Sequence, residues 1–256
     1  MALLELHDAT LLFGGLAAVK GVSLELHLGE FVGLIGPNGA GKTTVFNIVS
    51  GVYRPTSGDV RFRGESIVGL APHDIAQHGI TRTFQNIRLF GGMSVLENVK
   101  VARHHRTRSG LLAAMIRTQS FRDEEAAIEA DAMDLLRLVG LAERAGDAPK
   151  SLPYGLQRRL EIARALAGAP DVLLLDEPAA GMNHTEVDDL VALIRRIQQE
   201  RELSILLIEH QMPLVMNLCE RVYVLDFGEV IAHGTPNEIR NNPAVIDAYL
   251  GSGGRV

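Results

Sequence analysis

The sequence predicts an α/β fold with a parallel-sheet core, an antiparallel strand layer near the N-terminus and a helical insertion around residues 92–156. Three observations predict it. The apolar run Phe31-Val32-Gly33-Leu34-Ile35 leads into a Gly-rich turn and then into a helix-forming stretch, Val45–Ser50, that Gly51 stops. Two more apolar runs, Val172–Leu175 and Ser204–Ile208, read as strands buried on both faces, as parallel strands are. From Ser94 the character changes: Ser94-Val95-Leu96-Glu97 is a capping box, and helical patterns take over. The expected organisation is one domain over 1–256, with the core and strand layer at 1–91 and 157–256 and the helical subdomain at 92–156.

Taken in order, Leu3–Thr10 and Val22–Leu28 alternate apolar and polar residues, as strands solvated on one face do. Val60–Arg63 is a further short strand, Pro72–His78 a helix stopped by Gly79, and Ile80–Gln85 a strand-like run. The capping box opens a helix through about Ala102, and Asp123–Val139 carries a helical stripe that ends at Gly140. Residues 103–122 hold His104, His105, Arg106, Arg108, Arg117 and Arg122, a basic cluster expected to be a solvated linker. Leu156–Ala167 reads as a helix with a basic outer face of Arg158, Arg159 and Arg164. Asn183 caps a helix running to about Glu200, and Asp226-Phe227-Gly228 turns a hairpin between Arg221–Leu225 and Glu229–His233. Pro236–Arg240 and Pro243–Leu250 close the chain as helices.

Composition narrows the function classes. Hydrophobic residues at 46% fill a sizeable core, and a net charge of −6 gives no global attraction for nucleic acid or an anionic membrane. The single cysteine, Cys219, excludes an internal disulfide framework and fits a reducing compartment. No apolar run reaches the length of a membrane span, and the N-terminus has no basic region of a signal peptide. The expectation is a soluble cytoplasmic chain unless something else holds it at a membrane.

The chemistry starts at Gly36-Pro37-Asn38-Gly39-Ala40-Gly41-Lys42-Thr43-Thr44, which satisfies G-x-x-x-x-G-K-[ST] in its required setting of strand, turn and helix. Glycines let backbone N–H groups turn inward toward phosphate oxygens, and the new helix adds its positive end. Lys42 supplies a point charge for β- and γ-phosphates, and the Thr43 hydroxyl is placed to ligate Mg²⁺. Asp176, at the end of a buried strand, is the acid that such a loop needs to hold the metal, and Glu177 the candidate to polarise an attacking water. Gln85, Asp176, Glu177 and His210 all fall at strand C-terminal ends, where ligands gather in a doubly wound sheet. Phe13 reads either as core packing or as an aromatic face for a purine, and the residues alone leave both open. His104 and His105 have no spaced partners for a metal.

Together, Gly36–Thr44, Gln85, Leu152-Pro153-Tyr154-Gly155-Leu156-Gln157, Asp176-Glu177-Pro178 and His210 resemble the ATP-binding cassette (ABC) ATPase family over essentially the whole chain. The resemblance implies a P-loop NTPase (RecA-like) core with ATP and Mg²⁺ as cofactors. It implies that Phe13 stacks on adenine, that Asn38, Gly39, Ala40, Gly41, Lys42, Thr43 and Thr44 hold the phosphates, and that Thr43, Gln85 and Asp176 hold the metal. Lys42, Gln85, Glu177 and His210 then form the catalytic set, with Glu177 as base and His210 as γ-phosphate switch. Two chains would sandwich two ATP molecules, each lending Tyr154, Gly155 and Leu156 to the other's site, while Ala180–Asn183 crosses between them. The family's usual signature begins Leu-Ser-Gly-Gly-Gln, and here Pro153, Tyr154 and Leu156 stand at three of those places.

More specifically, Phe13-Gly14-Gly15-Leu16, Arg82-Thr83-Phe84-Gln85-Asn86, Arg158–Ala163, Glu177–Asn183 and Gly234-Thr235-Pro236 are similar to the ATPase subunits of bacterial branched-chain amino acid importers. That likeness implies a second ATPase subunit, transmembrane permease subunits reached near Gln85 and residues 86–96, an extracytoplasmic solute-binding protein acting indirectly, no nucleic acid, and a place on the inner face of the cell membrane. The alternatives are an ABC ATPase for lipid or lipopolysaccharide export, an ABC protein of DNA repair or ribosomes, and a small-molecule kinase. DNA-repair and ribosomal proteins would bring a second cassette, heptads or basic extensions that this chain lacks. A kinase would not explain Leu152–Gln157 or His210.

Overall fold

Strands that are apolar on both faces need covering on both faces, and β3 (Phe31–Ile35), β7 (Val172–Asp176) and β8 (Ser204–Ile208) are buried at every position. In the computed structural model, which describes residues 2–103 and 119–251, they form the middle of a six-stranded sheet. Its order is β10-β9-β3-β8-β7-β6, with β6 at Ile80–Arg82, β9 at Arg221–Asp226 and β10 at Glu229–Gly234. β9, β3, β8, β7 and β6 run parallel, and β10 alone is antiparallel, returning through the predicted hairpin. Phe227 and Gly228 turn that hairpin with φ of 43° and 82°, the two positive values that a two-residue type I′ turn requires.

The second sheet is antiparallel, in the order β2-β1-β4-β5, from β1 (Ala2–Phe13), β2 (Leu16–His27), β4 (Ser57–Phe62) and β5 (Glu65–Ser66). β1 and β2 are longer than the alternation predicts. Register shifts between Leu6 and Ala9 and again between Ala9 and Leu11, with Asp8 at φ 47°, interrupt the period of two and hide the strand ends. Gly58 meets this irregularity face to face: a Cβ there would lie 2.4 Å from the Asp8 carbonyl oxygen. One core cluster joins the two sheets, with Leu4, Leu6, Leu24 and Leu26 on one side, Leu34, Leu174 and Leu206 on the other, and Phe46 of α1 (Lys42–Val49) among them. Burying each such side chain contributes about 1.5–3 kcal/mol.

These elements make up one compact unit, residues 1–85 with 171–256; the other unit is 86–170. The helical unit is therefore wider than the 92–156 that the sequence predicts. The helix Tyr154–Ala167 packs on the helices Val95–Arg103 and Gln119–Leu138, so its residues after 157 belong with them rather than with the core. Its first turn also begins two residues earlier than expected, behind Pro153, whose fixed φ suits a helix start. The capping box is formed: Ser94 Oγ accepts from the Glu97 N–H at 3.2 Å, and Glu97 Oε2 from the Ser94 N–H at 2.7 Å. Of the basic cluster, His104, His105, Arg106, Arg108 and Arg117 lie outside the described residues. Among the described residues, no helix is long and apolar enough to cross a membrane.

One expectation is overturned. Arg158 is not on a basic outer face; it has no exposed surface, and its guanidinium donates to Glu161 at 2.6 Å and to the Tyr154 hydroxyl at 3.3 Å. Position 158 turns inward with Ile162 and Leu166, and the charge is tolerated because Glu161, 1% exposed, is buried with it. Taking away one member of such a pair strands the other charge. Glu161→Leu should therefore cost about 3–5 kcal/mol of stability, whereas Arg158→Met with Glu161→Leu should cost far less. Urea unfolding of the three proteins measures both values, and equal losses would contradict the pairing.

Candidate functional site

The site is assembled at the C-terminal ends of the parallel strands, where β3 gives way to the loop Gly36–Gly41. Two glycines there are obligatory. A Cβ on Gly36, at φ 148°, would sit 2.0 Å from the Leu225 carbonyl oxygen, and one on Gly41, at φ 102°, would sit 2.6 Å from the Ala18 carbonyl oxygen. The loop is pinned from outside, because Gly228 of the β9–β10 hairpin donates its N–H to the Ala40 carbonyl at 3.0 Å. Asn38 and Gly39 stay exposed at its crown, and α1 starts at Lys42.

Lys42 is only 7% exposed. Its Nζ donates to the carbonyl oxygens of Gly36 at 2.7 Å and Pro37 at 2.8 Å, so it caps the loop from within. Burial lowers its pKa below the ordinary lysine value, while the carboxylates of Glu177 and Asp176 act in the opposite direction. A cleft of about 600 Å³ opens over it, lined by Leu16, Ala17 and Ala18 of β2, by Asn38–Thr44, and by Gln85, Glu177 and Phe227. Its inner wall thus carries a cation, a run of backbone N–H groups and a helix start, the constituents of an anion site.

The acids stand on adjacent strands. Asp176, 1% exposed, ends β7, and Arg82 at the end of β6 donates to its Oδ2 at 2.7 Å. The same guanidinium donates to Asn47 Oδ1 at 2.7 Å and Ser50 Oγ at 3.3 Å on α1 and its C-cap, binding that helix to the acid. Glu177 follows in the left-handed region, at φ 46°, an uncommon conformation for a side chain of its size that marks a held position. Gln85 Nε2 donates to Glu177 Oε2 at 2.9 Å, and His210 Nδ1 stands 3.9 Å from Glu177 Oε1. Gln85, Glu177 and His210, far apart in the chain, are therefore neighbours. Thr43, Gln85 and Asp176 offer a hydroxyl, an amide carbonyl and a carboxylate, an all-oxygen set that suits Mg²⁺ sharing phosphate oxygens and water. Among the described residues there is no cluster of three His, Cys, Asp or Glu side chains that could hold a metal alone.

Phe13 is placed differently from the rest. It is 47% exposed at the β1–β2 turn and meets Tyr53 edge-on, centroids 5.3 Å apart, while Leu16–Ala18 line the cleft. Pro153, Tyr154, Gly155 and Leu156 lie in the other unit at the start of their helix, where Tyr154 is 44% exposed and the Pro153 carbonyl accepts from the Leu156 and Gln157 N–H groups at 3.0 Å.

Three residues in or beside the site carry no motif of their own. Arg82 is a single arginine in a strand-like run, which gives no periodic signal. Glu209 follows a buried apolar strand as Asp176 does, the signal that could have found it. Phe227, 82% exposed on the hairpin turn, lines the cleft through topology alone.

A family model described as ABC transporter matches residues 19–180, and one described as branched-chain amino acid ATP-binding cassette transporter matches residues 229–255. The chain is 49% identical over 249 residues to the high-affinity branched-chain amino acid transport ATP-binding protein BraF of Pseudomonas aeruginosa, covering 97% of this chain and 98% of that one. The structure of the ADP conformation of MJ1267, an ATP-binding cassette of an ABC transporter, superposes with a TM-score of 0.85 at 28% identity, over 98% of this chain and 99% of that one. A dimeric post-hydrolysis state of the ATP-binding cassette MJ0796 bound to ADP and Pi superposes with a TM-score of 0.76 at 25% identity, over 91% and 98% of the two chains.

Proposed function

Since the chain belongs to the ABC transporter ATPase family, we propose that it is the ATP-hydrolysing subunit that powers a branched-chain amino acid importer from the inner face of the cell membrane. The observation that carries the choice of solute is the end-to-end likeness to BraF, joined by the match over residues 229–255. The same likeness disfavours lipid or lipopolysaccharide export. Its partners are a second ATPase subunit, transmembrane permease subunits and, indirectly, an extracytoplasmic solute-binding protein.

In this reading the triphosphate enters the cleft over Lys42. Backbone N–H groups of Asn38–Thr44 take the phosphate oxygens, and the Lys42 ammonium lies under the β- and γ-phosphates. Thr43, Gln85 and Asp176 would hold Mg²⁺, which when bound would supply positive charge beside the transferring phosphoryl group. Arg82 fixes the Asp176 carboxylate from behind. Glu177 accepts a proton from the water that attacks the γ-phosphorus as the bond to the β-phosphate oxygen breaks and ADP leaves. Its bond from Gln85 aims it, and His210 contacts the γ-phosphate. Phe13, with an exposed ring face, stacks on adenine. One chain is an incomplete enzyme: Tyr154, Gly155 and Leu156 close the partner's site, with the backbone N–H groups of Tyr154 and Gly155 at the helix start in place of the serine hydroxyl of the usual signature.

In cells without native high-affinity uptake, the chain expressed with its permease and binding-protein partners should restore import of radiolabelled leucine. Unchanged uptake, with the complex assembled, would refute the solute. Glu177→Gln keeps size and removes basicity, so with Mg·ATP it should accumulate as a dimer at concentrations where the parent sediments as a monomer. A variant that stays monomeric and hydrolyses ATP at the parent's rate would remove Glu177 from the base's role.

A further inference from the structure

Glu209 is a buried carboxylate outside the cleft lining, with no exposed surface, between the loops that follow β7 and β8. Both of its oxygens are engaged. Oε1 accepts the N–H of Ala179 at 3.1 Å, two residues after Glu177. Oε2 accepts the N–H groups of His210 at 2.9 Å and Gln211 at 3.1 Å. A second tie runs parallel, from Gln211 Nε2 to the Ala179 carbonyl at 3.3 Å. Ala179 itself is buried, in a loop turned by the bond from the Ala180 N–H to the Glu177 carbonyl at 3.2 Å.

Burying an unpaired carboxylate costs several kcal/mol unless hydrogen bonds offset it, and backbone N–H donors are what offset it here. The arrangement needs acceptors on both oxygens at once. An amide supplies one acceptor end only, and a hydroxyl cannot span the two loops. The residue type is thus matched to joining the loop of Glu177 to the loop of His210, not to filling space.

We propose that Glu209 is a positioning residue that couples the Glu177–Asn183 loop to His210, so that base and γ-phosphate contact are set as one unit. The inference rests on the ATPase reading above. Its consequence is that a shift in the 177–183 loop, the segment expected to meet a second subunit, moves His210 with it. Partner engagement then reaches the hydrolytic step without passing through the phosphate loop.

Steady-state kinetics of the full chain with Mg·ATP test this. Glu209→Gln keeps volume but replaces one acceptor oxygen with a donor, so one loop loses its bond. kcat should fall on the order of 10–100-fold, the loss that a small misplacement of reacting groups brings. KM and direct ATP affinity should stay within about twofold, because the Lys42 cradle is untouched. In a His210→Ala background the same change should slow hydrolysis by about twofold or less, since no imidazole remains for the Glu177 loop to be set against. Gln211→Ala, which removes only the parallel tie, should show the same pattern at smaller size, and serves if Glu209→Gln does not fold. Unchanged kcat, a loss carried by ATP affinity, or effects that simply multiply with His210→Ala would each overturn the coupling. A parent chain with no ATPase activity would instead overturn the reading it rests on, and the coupling with it.

Discussion

An ammonium group under the loop Gly36–Gly41 has given up most of its water, and everything else in the site is arranged around that fact. Lys42 is held by two backbone carbonyls and faced by the carboxylates of Glu177 and Asp176. Carbonyl oxygens stabilise a cation only partly, and burial pulls its pKa down. An anion arriving in the cleft would offset that cost of burial. The loop reaches this state because Gly36 and Gly41 admit the close approach of Leu225 and Ala18 that any side chain would block. The fully buried strand β3 in turn sets where the loop begins.

Around that cation the strand ends act together. Arg82 joins Asp176 to Asn47 and Ser50, so the acid that ends β7 and the helix that follows the Gly-rich loop share one guanidinium. Gln85 joins the end of β6 to Glu177, and Glu209 joins the loop of β7 to that of β8. Each link is a charged or amide group between neighbouring parallel strands. The strand ends are thus linked to one another by hydrogen bonds outside the apolar core. The helical unit carries its own buried pair, Arg158 with Glu161, under the exposed Tyr154 of the expected trans contact.

The sequence made the parallel strands plain because Val172–Leu175 and Ser204–Ile208 have no polar interruption, and it made Lys42 plain because the phosphate-loop spacing is rigid. It understated β1 and β2, whose register shifts and positive-φ Asp8 break the alternation that a strand is recognised by. It misjudged Arg158 because charge was taken as a sign of solvent, whereas a buried Glu161 one turn on makes the interior acceptable. It missed Arg82 and Glu209 for a related reason. Their importance lies in partners 94 and 30 residues away, Asp176 and Ala179, and only the fold brings them together.

In the ATPase reading, Lys42 is kept buried for a phosphate and not for the fold. Equilibrium titration of the parent and Lys42→Ala with labelled Mg·ATP, beside thermal unfolding of both without nucleotide, tests it most directly. Affinity should fall by about 2–4 kcal/mol while the unfolding temperature stays close to that of the parent. Unchanged affinity, or a variant that loses its fold along with its affinity, would contradict it.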